Sequence, residues 1–230
     1  MDKKLLHTAF LDTIPVMTGY IFLGFGFGIL MQNCGYGVLW ACAMSLFIYA
    51  GSMQYVAVSL LTSGASLLTA AVTAFMVNAR HLFYGISMVD TYKKMGPKKL
   101  YLIFGLTDET YSLVAQKHIP ENISHGGYCF LVTFLNHFYW VSGTLLGSLA
   151  GTLLPINYEG VDFALTALFV TIFVEQWLST TDHQPAIVGI GATALCLILF
   201  GTDIFLIPSM VIIAGSLFLM RNTGKERFCD

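Results

Sequence analysis

The chain has 230 residues, of which 56% are hydrophobic and only 10% charged, with a net charge of −2 and a mean hydropathy of +0.73. A soluble domain carries about a quarter charged residues, so this chain cannot coat a globular surface, and much of its exterior must face hydrocarbon. There is no phosphate-cradling lysine loop and no basic stripe interleaved with aromatics, which argues against nucleotide hydrolysis and nucleic-acid binding.

Crossing about 30 Å of hydrocarbon takes roughly 20 apolar residues. By that measure the sequence predicts eight segments, at about 10–31, 38–62, 65–88, 100–116, 126–152, 161–180, 185–200 and 204–220. The connections are short, so residues 1–230 are expected to form a single all-α polytopic membrane domain. The first segment follows Lys3 and Lys4 and runs to about Met31 without a small-x-small exit, as expected of a first span rather than a removable leader. Cys34, Cys42, Cys129, Cys196 and Cys229 show no CxxC or CxxH spacing. Neither a disulfide framework nor a metal site is expected, and no cofactor is implied.

Lys3 and Lys4 lie in the N-terminal tail, Lys93, Lys94, Lys98 and Lys99 in the 89–99 loop, and Arg221, Lys225 and Arg227 in the C-terminal tail. Lys117 falls in a further loop and Arg80 inside a segment. Cytoplasmic loops carry the excess of Lys and Arg, which puts both tails and the 89–99 loop on the cytoplasmic side of a bacterial inner membrane. Three full crossings before Lys93 would leave its loop outside, and five after it would leave the C-terminus outside. Both parities are restored if one segment in each half is broken or re-entrant, giving about six full crossings. Irregular backbone at membrane depth persists only where protein buries it or a wet cavity solvates it. The parity conflict therefore points to a solute site.

An internal repeat fits this picture. Phe10-Leu11-Asp12 with Gly19 and Gly24 resembles Phe134-Leu135-Asn136 with Gly143 and Gly147, and Gly37 to Gln54 resembles Gly160 to Gln176. Repeats at 8–116 and 126–220, each with three crossings and one interrupted segment, would be inverted. That is a secondary-transporter pattern, with its site at the midplane. Chance likeness between glycine-rich apolar stretches is the alternative.

In the second segment, Ala50-Gly51-Ser52-Met53-Gln54 sits midway through the apolar run. A break there would aim backbone N–H groups and a positive helix end at a carboxylate, with Gln54 adding a side-chain hydrogen bond. The plainer reading is a small-residue packing patch. In the third segment Arg80, the one Lys or Arg inside a span, must face the bundle interior or snorkel to the headgroups. Helical spacing puts Asn78 and His81 on one face and Arg80 with Tyr84 on an adjacent one.

The fourth segment carries Thr107-Asp108-Glu109-Thr110-Tyr111. Adjacent carboxylates point about 100° apart on a helix, so one can pair with Arg80 while the other accepts a proton or a substrate ammonium. A half-span with both carboxylates solvated at the surface is the alternative. In the second half, Gly143, Gly147 and Gly151 form a close-packing helix face, and His137 reads as hydrogen-bonded structure. Glu175-Gln176 lies opposite Gln54 in the repeat, and 181–185 reads as a turn.

Four stretches together resemble the AzlC family of branched-chain amino acid exporters: Pro15 with Gly24, Gly26 and Gly28; Ala50 to Gln54; Asn78 to His81; and Thr107 to Tyr111. All lie in the first half, while length and hydropathy agree over nearly the whole chain. The resemblance implies export of valine, leucine, isoleucine or analogues, in company with a small AzlD-type membrane subunit.

The expectation is then secondary alternating-access export. The backbone at Gly51, Ser52 and Met53, helped by Arg80, would hold the substrate carboxylate, and Asp108, Glu109 or Glu175 its ammonium. Gln54, Asn78 and Tyr111 complete the substrate set, and Asp108, Glu109 and His81 are the proton-coupling candidates. The alternative function is a non-transporting membrane subunit that stabilises or regulates a small partner. An intramembrane enzyme is not expected, because no HExxH or GxSxG spacing is present.

Overall fold

In a computed structural model of the protein, residues 3–116, 123–153, 170, 173–174, 177–178, 183–205, 208–209, 211–216 and 220 are described. Among the described residues all regular structure is helical. The chain divides into two compact units, Met1–Leu168 and Phe169–Asp230.

The first unit is built on two long helices, α1 (Lys3–Asn33) and α8 (His125–Leu153), each long and apolar enough to cross a membrane. They pack along a glycine seam. A Cβ on Gly24 would lie 2.8 Å from the Trp140 carbonyl oxygen, and one on Gly143 would lie 2.7 Å from that of Ile21. Side chains on Gly28 and Gly147 would likewise strike the backbones of Thr144 and Phe25. Small residues let membrane helices approach this closely, and van der Waals contact then replaces the hydrophobic drive that lipid cannot supply. Leu5 meets Gly127, Thr13 meets Tyr139, and Gln32 meets Gly151, so the two helices run parallel.

Around this pair the first half is a set of short helices. These are α2 (Val38–Phe47), α3 (Gly51–Thr62), α4 (Leu67–Asn78), α5 (Arg80–Lys93), α6 (Lys99–Phe104) and α7 (Asp108–Gln116), with a 3-10 turn at Gly96–Lys98. Each of three predicted segments is thus broken near its middle. The 38–62 segment breaks at Ile48–Ala50, where Tyr49 takes φ 46°. The 65–88 segment breaks at Ala79, whose N–H bonds back to Met76 and tightens the last turn of α4. The 100–116 segment breaks at 105–107, where Thr107 accepts the Thr110 N–H and so caps α7.

Two of the breaks reverse the chain. Gln54 Nε2 donates to Ser45 Oγ at 3.0 Å. Nine helical residues in one direction would separate these groups by about 13 Å, so α3 must fold back along α2. The second reversal is equally plain. α6 passes Phe130 and then His137 of α8, whereas α7 pairs Asp108 with Arg80 and Tyr111 with Ser87. It therefore leads back in the direction of α5. Between the hairpins, α4 and α5 form one interrupted rod.

Two expectations are corrected here. Three interruptions occur in the first half where one was expected, because Ala79 and Gly105 give no breaker signal that stands out in a chain with 22 glycines. An inverted relation between halves would make their leading helices antiparallel, yet α1 and α8 run parallel. In the second unit, α9 (Gln184–Ile204) is apolar and largely exposed, and it kinks at Gly201, with φ 73° and ψ −179°. Lys117, most of 161–182, parts of 204–220, and the C-terminal tail lie outside the described residues.

Candidate functional site

The three breaks lie side by side. Arg80, the first residue of α5, reaches both hairpin tips: Nη1 lies 2.9 Å from Asp108 Oδ2, and Nη2 donates to Ser52 Oγ at 2.7 Å. Ser52 and Asp108 stand in the first turns of α3 and α7. Three half-helix N-termini therefore converge on one guanidinium. Each such end carries about half a positive charge, so the array would repel itself without carboxylates among it. Asp108 and Glu109 supply them in the first turn of α7.

The two acids point apart, as helical spacing requires. Asp108 faces Arg80, while Glu109 turns toward α1, where the Tyr20 hydroxyl donates to its Oε2 at 2.6 Å and lies 2.8 Å from Thr107 Oγ1. Thr107 bonds Thr110, which accepts from Asn136 Nδ2 at 3.0 Å. A polar chain thus runs from α1 through the second hairpin to α8.

The first hairpin has its own network. Gln54, fully buried, donates to Ser45 and accepts from Trp140 Nε1 at 2.9 Å, and Ser45 Oγ lies 2.8 Å from Thr144 Oγ1. A Cβ on Gly51 would lie 3.0 Å from the Trp140 ring, so the hairpin sits directly on that indole. Met53 is buried, at 8% exposure.

A cleft of about 570 Å³ extends from Lys93 and Lys99 to Ile48, Tyr49, Ala50 and Asn78. Its volume lies within the range of small-molecule sites. Leu82, Met88, Val89, Ile103, Phe104 and Leu106 make its walls apolar. The inner end carries polar groups: His81, whose Nδ1 lies 3.1 Å from the Asn78 carbonyl oxygen, and the Asn78 Oδ1, which is buried without a hydrogen-bond partner. α3 begins at this end, with Ala50 on the cleft wall. Its N-cap, Ala50, makes no side-chain cap there. Ser52, Arg80 and Asp108 stand immediately behind this wall, within two residues of Ala50, His81 and Leu106.

Of the expected site residues, the fold gathers Ser52, Arg80 and Asp108 into one cluster, with Gly51 at the same tip and Asn78 and His81 on the cleft. Gln54 is corrected: its carboxamide is held by Ser45 within the hairpin and by Trp140 of α8, so it braces the tip rather than facing the cleft. Tyr111 accepts from Ser87 at 2.9 Å and stacks on Tyr84 at 4.7 Å, joining α7 to α5. Glu175, with Gln176, lies outside the described residues. Tyr49 lines the cleft, Tyr20 holds Glu109, and His137 stands behind Tyr49, although the sequence reading gave the tyrosines no role and His137 a structural one. Their signal was a polar or ionisable group deep within an apolar segment, which aromatic rings mask. Among the described residues there is no cluster suited to a metal ion.

Residues 15–154 match the model of a family described as AzlC protein. The chain is 45% identical over 216 residues to the branched-chain amino acid transport protein AzlC of Bacillus subtilis, covering 94% of this chain and 85% of that one. An uncharacterized membrane protein of Helicobacter pylori is 40% identical over 219 residues, covering 95% and 96%. The inner membrane protein YgaZ of Escherichia coli is 30% identical over 207 residues, covering 89% and 83%. No solved structure matches.

Proposed function

This chain belongs to the AzlC family, and on that premise we propose that it exports branched-chain amino acids across the bacterial inner membrane by alternating access. The observation that carries the reading is the cleft, which is apolar along its walls, ends at two helix breaks, and is backed by Ser52, Arg80 and Asp108. A branched side chain would rest among Leu82, Met88, Val89 and Ile103. The carboxylate would meet the uncapped N–H groups of α3, and the ammonium the open Asn78 Oδ1.

Charge favours a zwitterion. Arg80 is already balanced by Asp108, so a carboxylate can take the guanidinium only by displacing Asp108, which then stands free for the ammonium. A solute that brings one charge of each sign leaves the site's balance unchanged, whereas a net-charged solute does not. A ligand moves a protein between states only by binding them unequally, and this exchange of partners is where the two states would differ. Glu109 is held by Tyr20 rather than by a cation.

The hairpins also support a topology. With α2–α3 entering from outside and α6–α7 from the cytoplasm, α1 and the α4–α5 rod are the full crossings before α8. Lys3, Lys4 and the 93–99 lysines then share the cytoplasmic face. A small AzlD-type subunit is the proposed partner.

The test is valine efflux from dipeptide-fed cells lacking other exporters. Arg80→Ala and Asp108→Asn, expressed normally, should each lower efflux at least about tenfold, equivalent to about 1.4 kcal/mol of barrier; unchanged efflux removes them from the mechanism. Valine flux through proteoliposomes containing this chain alone would show whether transport needs the partner.

A further inference from the structure

One titratable side chain stands where both hairpin tips meet α8 and has no role in the account above. His137 is buried, at 7% exposure, with ring centroids 4.3 Å from Tyr49, 5.8 Å from Phe104 and 6.1 Å from Tyr101. Its Nδ1 lies 3.0 Å from Tyr101 Oη, while its Nε2 is buried without a hydrogen-bond partner. The ring lies against Tyr49, two residues past the end of α2. A helix C-terminus favours a cation, and so do aromatic faces. Both offset part of the cost of charging a buried ring. Among the described residues no carboxylate is in ion-pair contact with it. The titratable groups facing it are Tyr49 at the first hairpin's tip and Tyr101 on α6, with Glu109 of α7 beyond Tyr49. Tyr49 and Phe104 also line the cleft, so their rings form the wall between it and the imidazole.

We propose that His137 binds the coupling proton of transport and, once charged, draws the α2–α3 tip onto α8. This rests on the transport reading given above. The tautomer that fits carries its hydrogen on Nε2, with Nδ1 accepting from Tyr101. The proton adds to the Nδ1 lone pair, and the Tyr101 hydroxyl turns from donor to acceptor; no covalent bond breaks. The charged ring then holds the Tyr49 ring, 4.3 Å away, as a cation on an aromatic face. That contact keeps Tyr49 against the cleft. Loss of the proton slackens the tip and lets the wall move.

The experiment compares wild type with His137→Gln in proteoliposomes, by valine counterflow at equal pH and by valine accumulation driven by a pH gradient. H137Q should keep counterflow within about twofold, lose accumulation and lose pH dependence. Two outcomes overturn the proposal: a wild-type pH profile in H137Q, or joint loss of counterflow and accumulation in a well-folded variant, which marks a structural role. A second measurement needs no transport: the histidine nitrogen NMR signal absent from H137Q should titrate between about pH 5 and 8. A ring fixed in one neutral tautomer across that range overturns the proposal even if valine is carried. A titrating His137 in a wild type that carries no valine rejects the transport reading and leaves the proton site standing.

Discussion

Arg80 and Asp108 show what one pair of charges does at membrane depth. Their side chains are 30% and 21% exposed, and each has the other as a partner at 2.9 Å. Removing one leaves the second charge unpaired, whereas removing both leaves a neutral space. Arg80→Ala and Asp108→Asn should therefore each lower thermal stability in detergent, by roughly 1–3 kcal/mol. The double substitution Arg80→Met with Asp108→Leu should recover most of that loss while remaining inactive in valine efflux. Activity restored together with stability would mean the charges only hold the fold. The identity of this pair was legible in the sequence, since an arginine and two carboxylates inside apolar runs demand partners. Which acid takes the arginine was not, because that depends on how α7 is rotated, and the rotation is set by Thr107 capping and by Tyr20 reaching across from α1.

At the scale of an element, the breaks matter more than the helices. Tyr49 occupies the left-handed region at φ 46°. A bulky residue held there costs about 1–3 kcal/mol and persists only where its surroundings over-determine it; here His137, Phe104 and Tyr20 do so. The second tip depends on Gly105 instead, for any side chain there would run into the Thr133 methyl. Gly105→Ala should destabilise the protein by about 1–3 kcal/mol, as overpacking does, and Thr133→Ala should rescue it in the double variant, read by thermal unfolding. Failure of the rescue would mean that Gly105 matters for its backbone rather than for the space it leaves. The sequence identifies the first break, where Ala50-Gly51-Ser52 interrupts an apolar run. It does not reveal the break at Ala79, because Asn78-Ala79-Arg80 is compatible with helix and only the hydrogen bonds that Arg80 makes show why the rod stops there. Nor is the reversal of α2 into α3 visible without the Gln54–Ser45 bond.

For the whole molecule, positive-charge placement demanded an even number of crossings before the 89–99 loop, and apolar length alone offered three. On the topology proposed above, the α2–α3 hairpin turns one apparent crossing into a return to the same side. In a variant lacking the native cysteines, Ser63→Cys should react with an impermeant maleimide from outside, and Met95→Cys only from the cytoplasm. Labelling of both from one side would reject the hairpin topology. Segments 10–31 and 126–152 fall on two long helices, α1 and α8, whose parallel course does not fit an inverted pair.

Where backbone rests on backbone, nothing remains to repack. At Gly24, Gly28, Gly143 and Gly147, α1 and α8 have no side chains that could switch rotamer, so this seam serves as a post. The short helices pack around it through aromatic contacts and hydrogen bonds. On the transport reading proposed above, the short helices would be flaps swinging against a fixed upright, with Tyr49, Ala79 and Gly105 as the hinge positions.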